Sequence, residues 1–296
     1  MEHGKMPPKQ VKLLEGKFLA KEIREEIQAF VESIAAEGKD RPGLLALQAG
    51  DDLSSSWYIG QQKKWAEKLG IVFECMGPED LPDQETLIKT LKYYRDDSQK
   101  YHGIFVAMPL PEGFNSDEVL FALDERKDVE GIHPTSLGLI VLRKAKLIPP
   151  TAYAAFKLIQ STGVVLRGKQ AAIVGQSAIV GRPLQLLLGT ERVTTIVCNS
   201  GTSEAVMKKY ISESDIVIGC CGQPRMIKGE WIKPGSIVID VGTTEIEGQL
   251  VGDVDFETAS ERADFITPVP GGVGPLTVTM LLQNLIHAYK WQKGIA

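Results

Sequence analysis

The chain has 296 residues, 43% of them hydrophobic and 24% charged, with a formal net charge of −5. Such a composition buries a substantial core in one large or two ordinary domains and excludes a disordered chain. Lys and Glu are interspersed and the basic residues form no long run, so nothing draws in nucleic acid or an anionic membrane; the expected partner is a small molecule.

The opening MEHGKMPPKQ lacks the apolar core of a signal peptide, and no apolar run approaches the roughly 20 residues of a membrane span. The expected location is the cytoplasm. From about 17 to 37, KFLAKEIREEIQAFVESIAAE carries apolar residues at helical spacing, and RPGLLALQAG reads as a short buried strand leaving a turn. The alternation repeats: SSWYIGQQKKWAEKLG is a helix ending at Gly70, IVFECM a strand, PDQETLIKTLKYYRDD a helix and GIFVAMPLP a strand. Strands separated by helices need crossover connections, which predicts a mostly parallel sheet with its functional loops at the strand carboxyl ends. AGDDLSSS and VAMPLPEG lie at such ends.

A second run of the same kind starts near 150. TAYAAFKLIQSTGV reads as a helix, and KQAAIVG, TTIVCNS, DIVIGCCG, SIVIDVG and DFITPVP as strands, which is the rhythm of a dinucleotide-binding fold. The four cysteines have no CxxC spacing, and Cys220 and Cys221 fall in an apolar run that reads as a buried strand, so reduced thiols are expected. No histidine has a partner at metal-ligand spacing, and no metal is assigned. The last helix, about 276 to 291, follows PVPGGVGPLT and is expected to return to the first domain. The expectation is therefore an α/β chain of two domains: 1–149 with 276–296 as an α/β substrate domain, and 150–275 as a Rossmann-type dinucleotide-binding domain.

KQAAIVGQSAIVGRP places Gly175 directly after a strand and Gly181 at a helix start. Glycine lets the backbone approach an anion, and the free N–H groups of a helix N-terminus supply donors. The spacing is not GxGxxG, and a plain tight turn explains the same residues. An acidic residue closing the second strand would favour NAD by bonding the ribose hydroxyls. CNSGT has none. Asn199, Ser200 and Thr202 offer donors to a 2′-phosphate, although Gln176 stands where an arginine would help, so NADP is preferred and NAD stays open.

Taken together, GQSAIVGRP, GQP at 222–224, KGEWIKPGSIVIDVG and ITPVPGGVGPLT resemble the FolD-like methylenetetrahydrofolate dehydrogenase/cyclohydrolase family, and HGIFVAMPLP and ERKDVEGI fall where two further motifs of that family lie. The resemblance runs from about residue 12 to 290. It implies a folate-like substrate facing a nicotinamide across a cleft, and a homodimer formed through the dinucleotide domain. Its first-domain motif of Ser, Tyr and Lys falls on Ser55, Tyr58 and Gln62, so the lysine is missing. Lys63 is no obvious replacement, because one step along a helix turns a side chain by about 100°. The family glutamine corresponds to Ala107 and the family aspartate to Glu130.

By the same resemblance Tyr58, Gln62 and Glu130 take the catalytic positions, and Ser55, Ala107, Pro270, Gly271 and Gly272 contact substrate. The cofactor positions are Thr151, Gly175, Gln176, Ser177, Ile179, Ser200, Thr202, Gly222, Gln223, Pro224, Gly242, Thr243 and Gly274. Hydride transfer asks chiefly for two carbons held in line, whereas hydrolysis of the methenyl product needs a group that handles protons. Loss of the lysine thus predicts an NADP-dependent dehydrogenase with weak or absent cyclohydrolase activity. Two other readings stay open: an oxidoreductase of this fold acting on a different iminium or amine substrate, and a folate- or dinucleotide-binding protein without catalysis.

Overall fold

The computed structural model describes residues 11–96 and 100–295. In chain order these form β1 (Lys12–Leu13), α1 (Gly16–Ala36), β2 (Gly43–Leu47), α2 (Leu53–Lys68), β3 (Val72–Met76), α3 (Gln84–Asp96), β4 (Gly103–Val106), α4 (Ser116–Ala122) and α5 (Pro134–Val141). They continue with α6 (Pro150–Ser161), β5 (Gln170–Val174), α7 (Gly181–Thr190), β6 (Thr194–Cys198), α8 (Glu204–Glu213), β7 (Ile216–Gly219) and a 3-10 turn at Gly229–Trp231. Last come β8 (Ile237–Asp240), β9 (Thr244–Ile246), β10 (Gln249–Val251), α9 (Phe256–Ser260), β11 (Phe265–Ile266) and α10 (Val273–Lys293). Two compact units result: Ala20–Pro150 with the chain from Thr277 onward, and Thr151–Leu276 with the described residues up to Leu19.

In the first unit the parallel sheet has the order β3-β2-β4, with β2 (GLLAL) wholly buried between its neighbours. Helix α1 turns Ala20, Ile23, Ile27, Val31 and Ile34 inward at helical spacing. On the other side Leu87 and Leu91 of α3 pack with Leu45, Leu47, Ile104 and Val106 of the strands and with Tyr101. Short helices α4 and α5, one capped by Asn115 and the other by His133 with Pro134 following, were absent from the sequence-based reading.

The second unit is a six-stranded parallel sheet of order β1-β11-β8-β7-β5-β6. Its core joins Ala172, Val174, Val217, Val238 and Ile266 of the strands to Met207 and Ile211 of α8 and to Trp231. Because β5 has β6 on one side and β7 on the other, the strand order reverses at β5, the point at which open α/β sheets receive ligands beyond the strand carboxyl ends.

Three expectations change. Residues 12–19, expected in the substrate domain, belong to the dinucleotide unit: β1 pairs with β11 and the Gly16 N–H donates to the Gly271 carbonyl at 3.0 Å. Two strand residues carry no periodicity, so only the pairing reveals them. Cys220 and Cys221 lie beyond the end of β7 at Gly219, in a half-buried loop, not within a strand. The β9/β10 hairpin, turning at Glu247–Gly248, adds a small antiparallel ribbon that was not expected. Among the described residues no helix is long and apolar enough to cross a membrane.

Candidate active site

Helix α2 is placed by its cap. The Asp52 carboxylate accepts from the Ser55 N–H at 2.7 Å, which starts the helix directly after the loop leaving β2. Ser55, Ile59, Gln62 and Ala66 then form its buried face. The Ser55 hydroxyl donates to the Met108 carbonyl at 2.9 Å and fixes the helix to the segment leaving β4, where the buried Ala107 adds no polar group. Tyr58, half-buried, sets its ring edge-on to Phe105 of β4, centroids 6.2 Å apart.

The KDVEG segment runs alongside the free edge of β4, with an Ile104–Asp128 bridge and an Ile104 N–H to Lys127 carbonyl bond of 2.7 Å. Asn284 of α10 holds it there, its amide donating to the Val129 and Ile148 carbonyls at 2.8 Å each. This placement brings Glu130 close enough to the Tyr58 hydroxyl for each to bias the other's ionisation. Ser55, Tyr58, Gln62, Ala107 and Glu130 therefore come together in one unit. An open depression lined by Asp51, Gly77, Pro78, Glu79 and Asp80 includes none of them.

The electrostatics of the cluster follow from burial without a cation. Gln62 is fully buried, and neither its amide nitrogen nor its carbonyl oxygen has a hydrogen-bond partner. It lies close enough to the Tyr58 hydroxyl to bias its ionisation without meeting hydrogen-bond geometry. Lys63 points elsewhere: its side chain is 58% exposed and pairs with Glu67 at 3.9 Å on the outer face of α2. Burial, reinforced by the charge of Asp128, raises Glu130 to about 7, although the Tyr58 hydroxyl pulls the other way. Asp128 is itself raised to about 6 by burial, despite bonds from the His133 N–H and the Ser136 hydroxyl, and its second oxygen is unpartnered. Tyr58 is raised well above the phenol range by burial and by Glu130.

In the dinucleotide unit, Gly175 follows β5 with φ of 125°, and a Cβ there would collide with the Cys220 carbonyl; one on Gly181 would collide with the Gly175 carbonyl. Close backbone packing thus already requires both glycines. Gln176, Ser177 and Ile179 are exposed along the turn, as are Ser200 beyond β6 and Gly222 and Gln223 beyond β7, while Thr202 and Pro224 are half-buried. All open at the carboxyl ends of adjacent strands, the surface a dinucleotide requires. Thr151 is half-buried in the first turn of α6, and Gly242 and the exposed Thr243 follow β8. Beyond β11, Pro270 is exposed, Gly271 takes φ of 111°, Gly272 is buried against Thr267 and Pro268, and Gly274 is exposed.

Two residues organise these loops that the sequence reading did not single out. Asp253, fully buried, accepts from the N–H groups of Cys221 at 2.6 Å and Gly222 at 3.0 Å. Asp240, closing β8, accepts from the N–H groups of Gly242, Asp253 and Val254 at 2.9–3.1 Å, and burial still pushes its carboxyl up to about 7. An aspartate ending the apolar strand SIVID was the visible signal for the second; nothing local marked the first. No cluster of His, Cys, Asp and Glu suited to a metal occurs among the described residues.

Comparison with known proteins matches residues 14–130 to the tetrahydrofolate dehydrogenase/cyclohydrolase catalytic domain and residues 149–293 to the NAD(P)-binding domain of the same family. The chain belongs to the tetrahydrofolate dehydrogenase/cyclohydrolase family. Among curated members, the bifunctional protein FolD of Geotalea daltonii is 42% identical over 281 residues, covering 94% of this chain and 99% of that protein. Solved structures of the family include the Trypanosoma brucei methylenetetrahydrofolate dehydrogenase-cyclohydrolase complexed with NADP and an inhibitor, with a TM-score of 0.91, 34% identity and coverage of 97% and 99%. A methylenetetrahydrofolate dehydrogenase from the silkworm Bombyx mori gives 0.89, 31%, and coverage of 96% and 99%. Against this family frame, the cluster around Gln62 lacks a cation on the buried face of α2.

Proposed function

We propose that this chain is an NADP-dependent 5,10-methylenetetrahydrofolate dehydrogenase with weak or absent methenyltetrahydrofolate cyclohydrolase activity. Membership of the family makes it an NAD(P)-dependent oxidoreductase acting on a CH–NH group, with NADP as cofactor. The observation that carries the narrower reading is the fully buried, unpartnered Gln62 amide one turn after Tyr58, with the neighbouring lysine committed to Glu67 outside.

The turn from Gly175 to Gly181, with the loops at Ser200 and Gly222–Pro224, fits a dinucleotide: exposed polar side chains gather at a strand-order reversal. When bound, the nicotinamide accepts a hydride. The chain's own part is to bind and orient. The Gln62 amide fills the buried face of α2 without a titratable group, and Glu130 offers a carboxyl that accepts from ring N–H and amino groups once ionised. Neither duty asks a residue to take a proton from water. An amide neither gains nor loses a proton near neutral pH, so the position one turn after Tyr58 supplies no group to take a proton from water or pass one on. Absence of such help commonly costs roughly 10²- to 10⁴-fold in rate.

A cytoplasmic homodimer belongs to the same reading; the edge position of β6 in the six-stranded sheet supports pairing through the dinucleotide unit. The test follows NADPH formation and methenyltetrahydrofolate consumption together on purified protein. Expected are steady NADPH formation from methylenetetrahydrofolate and accumulation of the methenyl product. Consumption of methenyltetrahydrofolate as fast as NADPH appears would refute the loss of hydrolysis.

A further inference from the structure

The region that would receive the adenine ribose is closed off by uncharged groups bonded to one another. The turn from Gly175 to Gly181 reads GQSAIVG and the loop from Cys198 to Ser203 reads CNSGTS, without a single charged side chain. The Asn199 amide donates to the Gln176 side-chain oxygen at 3.2 Å and joins the two loops. Its oxygen accepts from the Gly201 N–H at 2.9 Å, and its backbone N–H donates to the Thr202 hydroxyl oxygen at 3.0 Å. What stays available to a ligand is neutral: the hydroxyls of Ser200 and Thr202 and the amide nitrogen of Gln176. The first turns of the helices that follow carry charges of opposite sign, exposed Arg182 at the second position of α7 and exposed Glu204 at the first of α8.

A pocket selects the 2′-phosphate with a guanidinium or excludes it with a carboxylate that binds the ribose hydroxyls instead. This one does neither. Hydroxyl and amide donors serve a phosphate oxygen or a ribose hydroxyl alike, and without a planar cation there is no bidentate, charge-paired contact to set NADP apart. We infer that the Gln176–Asn199 link and Gly201 leave this NADP-using dehydrogenase without a charge that selects the 2′-phosphate, so that it takes NAD as well. The inference rests on the dinucleotide reading of the Gly175 turn and specifies it.

Equilibrium titration of the full chain with NADPH and with NADH, followed by nucleotide fluorescence at low and at physiological ionic strength, tests it without requiring turnover. Dissociation constants within about tenfold of each other are expected, with a ratio that barely changes with salt, since salt screens a phosphate–cation pair and leaves neutral donors unaffected. Gly201→Arg, and separately Gln176→Arg should the first variant fold poorly, are expected to shift the ratio toward NADPH by about tenfold or more. NADPH binding more than about tenfold tighter than NADH in the parent, with the advantage lost at higher salt or in Arg182→Ala, would overturn the inference and assign the phosphate to Arg182. Binding of neither nucleotide would sink the dinucleotide reading of the turn and this inference with it, so the two failures are distinguishable.

Discussion

Gln62 is the residue on which the proposed loss of hydrolysis rests. Its amide is buried with both polar atoms unpartnered, a state that costs about 1–3 kcal/mol of stability. Gln62→Lys would put an ammonium on the same buried face, near the Tyr58 hydroxyl that Glu130 also approaches. The expected outcome is a gain in methenyltetrahydrofolate hydrolysis of about 100-fold or more, measured as decay of the methenyl chromophore, while NADPH formation changes far less. Glu130 makes a separate prediction through pH. Its carboxyl moves from an ordinary 4.5 to about 7 on folding, so the folded chain holds the proton more tightly and the parent loses stability as pH rises through that window. Glu130→Gln does not titrate. Its stability relative to the parent is expected to grow between pH 4.5 and 7 and then level off, as read from denaturation midpoints at pH 5 and pH 8.

At the scale of elements, the loops beyond β7 and β8 are held by two carboxylates rather than by their own sequence. Asp253 arrives from the segment after the β9/β10 hairpin and takes two N–H groups of the Cys221–Gly222 loop; Asp240 takes three from the chain around Gly242 and Asp253. A Cβ on Gly242 would collide with the Asp253 carboxylate and one on Gly252 with that of Asp240, so each glycine makes room for the opposite clamp. Asp253→Ala leaves two N–H groups without an acceptor, a loss of about 1–3 kcal/mol, and frees the loop carrying Gly222, Gln223 and Pro224. KM for NADP is expected to rise several-fold while KM for the folate stays near the parent value in steady-state assays. Asp253→Asn keeps one acceptor oxygen and recovers part of the loss.

At the scale of the whole molecule, the chain forms two units, and ligand linkage should respect them. Trp231 lies in the core of the dinucleotide unit, whereas Trp57, Trp65 and Trp291 belong to the other. A ligand bound only by the folded dinucleotide unit stabilises it by about 2.7 kcal/mol at a concentration near 100 times Kd. In a variant with Trp57, Trp65 and Trp291 each replaced by phenylalanine, NADP is expected to raise the unfolding midpoint reported by Trp231 fluorescence. An unchanged midpoint at saturating nucleotide would place the binding surface elsewhere.

The sequence by itself determined what depends on near neighbours along the chain. The spacing of Ala20, Ile23, Ile27, Val31 and Ile34 specifies α1, runs such as AAIV and IVID specify buried parallel strands, and the glycines after β5 specify a tight turn, because helix and strand periods and the reach of a turn are local properties. Ser55, Tyr58 and Gln62 share one helix, but the resemblance to the family, and not their spacing, singles them out. Only the tertiary structure decided that β1 joins the dinucleotide sheet, that Glu130 meets Tyr58, that Lys63 faces outward to Glu67, and that Asp253 holds the Cys221–Gly222 loop. Apart from the outward turn of Lys63, each is a contact between segments far apart in the chain, set by where the backbone returns and by which buried polar groups then need partners. Burial itself is such a property: nothing beside Gln62 in the sequence shows that its amide is sealed from water, and that seal is the observation on which the proposed loss of hydrolysis rests.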